Sequence, residues 1–430
     1  MSSNTQVALN DYQQLMLRFS KLSAYNAVHA VAIEDKNADL SIWSQSINRV
    51  IQQLSIGYPE FSSSYRQVTY HPLTEPLELE RRTIALEAHV EREMNYHFAL
   101  NEFPLRFFII DDQSQLYFSI SYHHWIGDAY AIYRLIECIL IDCKKITHPH
   151  LALQTVNIED CFKQIYQKKT IFYRYFGILK CFFQFSRGFR TIPSDEQCLT
   201  SGCDFYFFDK EVTAKLLETC KSHDLTVNDF CVTLLAQLFG DFSQIERKKI
   251  KKKWFKPKRD RIIIAIISNI RRHSLQPLNH IIGVFLGFFY LSFKSPEVLS
   301  FQALSRIVRT KTQQAKQTHA AIKQYLLFDV QNKMWDRRAH KRSQYRLFNK
   351  NTPITVGISN MNLTKNDTLP LQNAHHYIRF SPTAMICPVV FNITTFSGCL
   401  SLGINYRKAC YTPEQVIQFK NQFIMALNKL

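Results

Sequence analysis

Two spacings of apolar residues alternate along this chain. Residues 27–33 form a near-continuous apolar run of strand length, and 40–54 place Ile42, Ile47, Val50, Ile51 and Leu54 at helical spacing. Residues 103–110 and 116–122 are two further strand-type runs. Asp111 to Gln115 between them has the length and polarity of a hairpin turn. The run 129–143 predicts a strongly apolar helix packed on that hairpin. Farther on, the pattern predicts helices at 210–222 and 227–242, strands at 261–268 and 285–293, and a long helix at 298–325. Strands at 354–359, 389–395 and 399–406 follow, with a last helix at 413–427. No repeat of 20–50 residues is present. Strands interleaved with helices predict an α/β protein.

Composition narrows the class. The 430 residues are 46% hydrophobic, enough to offset chain entropy and exclude wholesale disorder, and the length suits two or three domains or two lobes of one large fold. With 53 basic and 35 acidic side chains, the net charge is +18, which favours anionic partners. The 11 cysteines are scattered without CxxC or CxH spacing, which argues against structural zinc and a disulfide scaffold and for reduced thiols in the cytoplasm. The first residues show no basic segment followed by an apolar one, so no export signal is expected, and the longest uncharged apolar run, 281–293, is too short for the roughly 20 residues of a spanning helix.

Three stretches stand apart. Residues 161–194 hold seven basic residues (Lys163, Lys168, Lys169, Arg174, Lys180, Arg187 and Arg190), ten aromatics and no acid. This fits either an interlobe helix with a buried side or an amphipathic surface lying on an anionic bilayer. Residues 246–261 carry ten basic residues and 337–346 five more, which reads as solvated surface. Aromatics interleaved with cations suit stacking on single-stranded bases, but no nucleic-acid module accompanies them.

The sharpest chemistry lies in Ser121-Tyr122-His123-His124-Trp125-Ile126-Gly127-Asp128-Ala129, where a predicted strand ends and a helix begins. A histidine at a strand end can face a cleft, and an acid at a helix start is favoured by the helix dipole. A neutral imidazole accepts a proton from a hydroxyl or amine near neutral pH, and the activated atom then attacks a thioester without a serine or cysteine intermediate. Asp128 either orients the ring or pairs with a cation and fixes the loop. A pair of buried histidines bonded to backbone is the structural alternative.

This HHxxxD string resembles the signature of the chloramphenicol-acetyltransferase-like superfamily of acyltransferases and condensation domains. The likeness runs in order along the chain: 98–128, Leu225-Thr226-Val227-Asn228-Asp229, 262–271 ending in Arg271, Ile282-Gly283-Val284-Phe285, Gly357-Ile358-Ser359-Asn360, 400–406 and Tyr411-Thr412-Pro413-Glu414. The resemblance implies two α/β lobes with an interlobe tunnel, here 1–190 carrying the motif and 191–430. It implies His124 as general base, His123 and Gly127 as shapers of the loop, and Asp128 salt-bridged to an arginine of the other lobe. Arg271 is the choice for that arginine, and Arg272 is one residue away. Trp125 N–H, Ser359 and Asn360 are candidate oxyanion or tunnel groups. Ala129 stands where the family usually has glycine, no DFGWG string occurs, and the doublet His375-His376, with Phe380 in the aspartate's place, reads as structural.

The implied activity is transfer of an acyl group from a coenzyme A or carrier-protein thioester to a hydroxyl or amine, with the acceptor a small molecule or lipid of lipid or secondary-metabolite biosynthesis. A stand-alone condensation domain joining carrier-bound chains is the alternative, and a non-catalytic basic binding protein a third. The expectation is a cytoplasmic monomer, peripheral at the inner face of a membrane where lipid is the substrate, with no resident cofactor and no metal. Phosphopantetheine, as coenzyme A or on an acyl carrier protein, serves as donor substrate.

Overall fold

The computed structural model describes residues 4–34, 39–113, 115–154, 158–162, 179, 183–250, 257–323, 325–338, 340, 344, 353–363, 376–383 and 387–430. Two sheets carry the fold. The first has five strands in the order Tyr377–Phe380, Asn26–Ile33, Gln115–His123, Leu105–Asp112, Leu79–Thr83. The second has six, in the order Leu286–Lys294, Arg261–Asn269, Val356–Asn362, Val389–Phe396, Cys399–Arg407, Ser201–Phe207. Every strand of the second sheet comes from after residue 190. All but one of the first sheet come from before it, the exception being Tyr377–Phe380. The architecture is α/β with a sheet in each lobe.

The predicted hairpin pairs residue by residue, Leu105 opposite Tyr122 through Asp112 opposite Gln115. Its inner face packs on helix Ala129–Cys143, whose Ile132, Leu135, Ile136 and Ile139 are fully buried. That helix starts where the apolar-run reading places it, because Asp128 caps it by accepting from the Ala131 N–H. Val227–Phe242 begins with a capping box, Thr226 and Asp229 bonding each other's backbone N–H groups.

The single helix expected at 298–325 is not formed. Ser295 adopts a left-handed conformation, Pro296–Val298 make a short 3-10 turn, and Ser300 caps a helix that runs Phe301–Gln317. His319, also left-handed, separates it from Ala320–Lys323. Apolar spacing continued through these breaks, but local capping set the ends.

Two strand pairings join the halves. Ile281–Ile282 pairs in parallel with Ala152–Leu153, carrying Val284, Phe285 and Leu286 into the core of the first half. Tyr377–Phe380 runs antiparallel to Asn26–Ile33, with Arg379 opposite His29. Gly403 lets the same strand lie close against the second sheet, since a Cβ there would be 2.3 Å from the Arg379 carbonyl oxygen. Most of 161–194 lies outside the described residues, as does His375. Among the described residues no helix is long and apolar enough to cross a membrane.

Candidate active site

His123 ends the strand Gln115–His123, and the next five residues turn into the helix capped by Asp128. Backbone bonds fix this turn: the His124 N–H donates to the Tyr25 carbonyl (3.0 Å), and the Trp125 carbonyl accepts from Gln13 Nε2 (2.9 Å). His124 Nδ1 lies 3.0 Å from the Gly127 carbonyl oxygen. A carbonyl only accepts, so Nδ1 carries the hydrogen and Nε2 keeps its lone pair. Tyr25 stacks on the ring at 6.0 Å, and Tyr122 meets it edge-on at 5.9 Å. Burial lowers the His124 pKa below the ordinary histidine value, while the Gly127 bond and the Asp128 charge pull the other way. The imidazole is therefore neutral at neutral pH.

Asp128 does not bond the imidazole. One carboxylate oxygen takes the Ala131 N–H (3.0 Å), and the other takes Arg271 Nη1 (2.6 Å) and the Phe285 N–H (2.7 Å). Arg271 also donates to the carbonyls of Leu278, Ile281 and Gly283. The two side chains are 4% and 2% exposed, so the pair is buried with each charge neutralised by the other. Gly283 brings the second half's loop close, because a Cβ there would strike Gln154 Oε1 at 2.3 Å. Arg272 donates instead to neighbouring His273.

A cavity of about 130 Å³ lies between the sheets. His124 and Asp128 line it from the first half, with Ala129, Tyr12, Tyr25 and Tyr122, and Ser359, Asn360 and Arg379 line it from the second half and the crossing strand. Asn360 Oδ1 is buried there without a partner among the described residues. Trp125 is not part of the lining, contrary to the sequence expectation. Its ring packs on Phe61 and Tyr70 in the first core, and its backbone N–H points to His123 Nδ1 at 3.5 Å. His123 is buried beside it, its pKa pushed down to about 3 by burial and by His124. The Gly127 site is tight because a Cβ there would lie 3.3 Å from Ala131.

Sequence reasoning missed Arg379, Tyr12 and Tyr25. Arg379 did leave a signal, a lone cation inside the apolar strand run Tyr377-Ile378-Arg379-Phe380. The tyrosines carried none beyond an aromatic near a helix or strand start.

No protein-family model matches this sequence, and no curated protein matches it. Solved structures do match. The condensation domain of the Monacolin K polyketide synthase superposes with TM-score 0.70 at 11% identity, over 99% of this chain and 97% of that one. This is the condensation-domain fold. The starter condensation domain of rhizomide synthetase, a mutant in complex with C8-CoA, gives TM-score 0.66 at 12% identity, covering 99% of this chain and 95% of that one. The epimerization domain from the third module of tyrocidine synthetase B gives 0.65 at 11%, covering 99% and 96%. At such identities the likeness concerns the fold, which carries more than one reaction.

Proposed function

We propose that this protein is an acyltransferase that moves an acyl group from a coenzyme A or carrier-protein thioester to a hydroxyl or amine, with His124 as general base. The observation that carries this reading is the Nδ1–H bond to the Gly127 carbonyl, which leaves a neutral, basic Nε2 on a ring lining the interlobe cavity. Nε2 takes the proton of the incoming hydroxyl or amine as its oxygen or nitrogen bonds to the thioester carbonyl. The carbon–sulfur bond then breaks, and the proton passes from Nε2 to the departing thiolate. Asp128 and Arg271 hold the loop across the two halves and stay out of the proton path. Ser359 and Asn360, on the far wall, are the candidates for steadying the oxyanion.

His124→Ala is expected to lower turnover of an acyl-CoA and an alcohol or amine by about 10²–10⁴-fold with the fold intact. Because the His124 pKa is depressed, the wild-type rate is lost only as pH falls through a value below 6.5. Unchanged turnover in His124→Ala overturns the assignment. The fold shared with synthase and synthetase condensation domains favours a second reading, in which the donor is carrier-bound. A requirement for a phosphopantetheinylated carrier over free acyl-CoA selects it.

A further inference from the structure

The cavity holds a charge that the transfer chemistry above leaves unused. Arg379 is 1% exposed and reaches the cavity from the crossing strand. Its Nε donates to Thr394 Oγ1 (2.9 Å), Nη1 to Ser359 Oγ (3.2 Å), and Nη2 to the carbonyls of Ser359 (3.2 Å) and Ile393 (2.8 Å). Those four bonds leave one Nη1 hydrogen without a partner among the described residues, and every acceptor is neutral. Burial pulls this guanidinium down to about 10, the direction expected for a cation lacking a counterion. Asp128 is the one carboxylate among the described residues lining the cavity, and its oxygens are taken by Arg271 and two backbone N–H groups.

We propose that Arg379 is the seat of a substrate carboxylate close to the reacting atoms, so that one of the two substrates is an acid. The proposal rests on the acyl-transfer reading of the cavity and narrows its substrates. A buried guanidinium with only neutral acceptors is costly, and a carboxylate reaching its free N–H completes a charge-assisted bond in a dry site. The phosphates of a pantetheine donor lie at the opposite end of the arm from the thioester. An anion beside Arg379 therefore belongs to the acyl group or to the acceptor. The small cavity suits a short acid.

Butyrate and butyramide match in shape and differ in charge. Calorimetric titration of the full chain carrying His124→Ala should show butyrate bound about tenfold tighter or more, since charge-assisted bonds are roughly twice as strong as neutral ones. Arg379→Met should erase the difference, and Arg379→Lys, which keeps the charge without the fork, should retain part of it. Equal affinities, no binding of either probe, or a difference surviving Arg379→Met would overturn the proposal, and the first two need no Arg379 variant to fold. Turnover then assigns the acid, by preference for succinyl-CoA over butyryl-CoA or for 3-hydroxybutyrate over its methyl ester. Butyrate preference with no turnover of any pair would overturn the acyl-transfer reading and leave the anion seat standing. Turnover with no carboxylate preference in either pair would overturn the seat alone.

Discussion

Two arginines are buried between the sheets on different terms. Arg271 meets Asp128 at 2.6 Å and donates three further bonds to backbone carbonyls of one loop. Arg379, which lines the cavity, meets only hydroxyls and carbonyls among the described residues. A charge neutralised inside the protein holds architecture. A charge left without its counterion beside an open space is one that a ligand can complete.

The largest expected effect is on the first arginine. Arg271→Met strands the Asp128 carboxylate in a dry site and should cost about 3–5 kcal/mol by chemical denaturation. Adding Asp128→Asn, which keeps an N-cap oxygen, should recover part of that loss. If the single variant is as stable as the wild type, the pair is not the brace described here.

Acid probes the buried histidines, of which His29 senses the second arginine. Burial, then the Arg379 charge, then His124 hold His29 well below 6.5, and burial first of all takes His89 and His123 to about 3. Above pH 6.5 these groups are neutral whether the chain is folded or not. Below it the unfolded chain gains protons that the folded one refuses, so stability falls until the folded-state values are reached. Between pH 6.5 and 5 the loss is up to about 2 kcal/mol per histidine, measured as the midpoint shift in urea. Arg379→Met should raise the His29 pKa in an NMR titration, and Arg271→Met should leave it unmoved.

The smallest effect sharpens the contrast most. Arg379→Met replaces a desolvated cation with an apolar side chain of similar reach, and should change stability by no more than about 1 kcal/mol in either direction. A loss as large as that of Arg271→Met would mean that Arg379 serves the scaffold.

Much of this arrangement was legible beforehand, and the parts that were not share a cause. Helices 40–54, 129–143, 210–222 and 227–242 occur where apolar spacing places them, because each is decided by residues within a few positions. The turn carrying His124 was legible for the same reason. Helix Asp11–Ser20 went unread although Tyr12, Leu15, Met16 and Phe19 lie at helical spacing behind an Asn10–Gln13 capping box. The surroundings of Arg379 are another matter. Ser359, Ile393 and Thr394 reach it only because a short strand joins the other half's sheet, a long-range pairing that local periodicity does not encode. The inward aim of Trp125 was hidden likewise, since Phe61 and Tyr70 come from a separate small sheet.

The strand Tyr377–Phe380 also bears on how the molecule comes into being. Its Tyr377 hydroxyl lies 2.8 Å from His29 Nδ1, across 348 positions of sequence. The ribosome must add those 348 positions before that edge of the sheet gains its neighbour. Until then the Asn26–Ile33 backbone is an open edge, able to pair with another nascent molecule. The cavity between the sheets thus waits for strands made late, and that wait is when the chain most needs protection from its own copies.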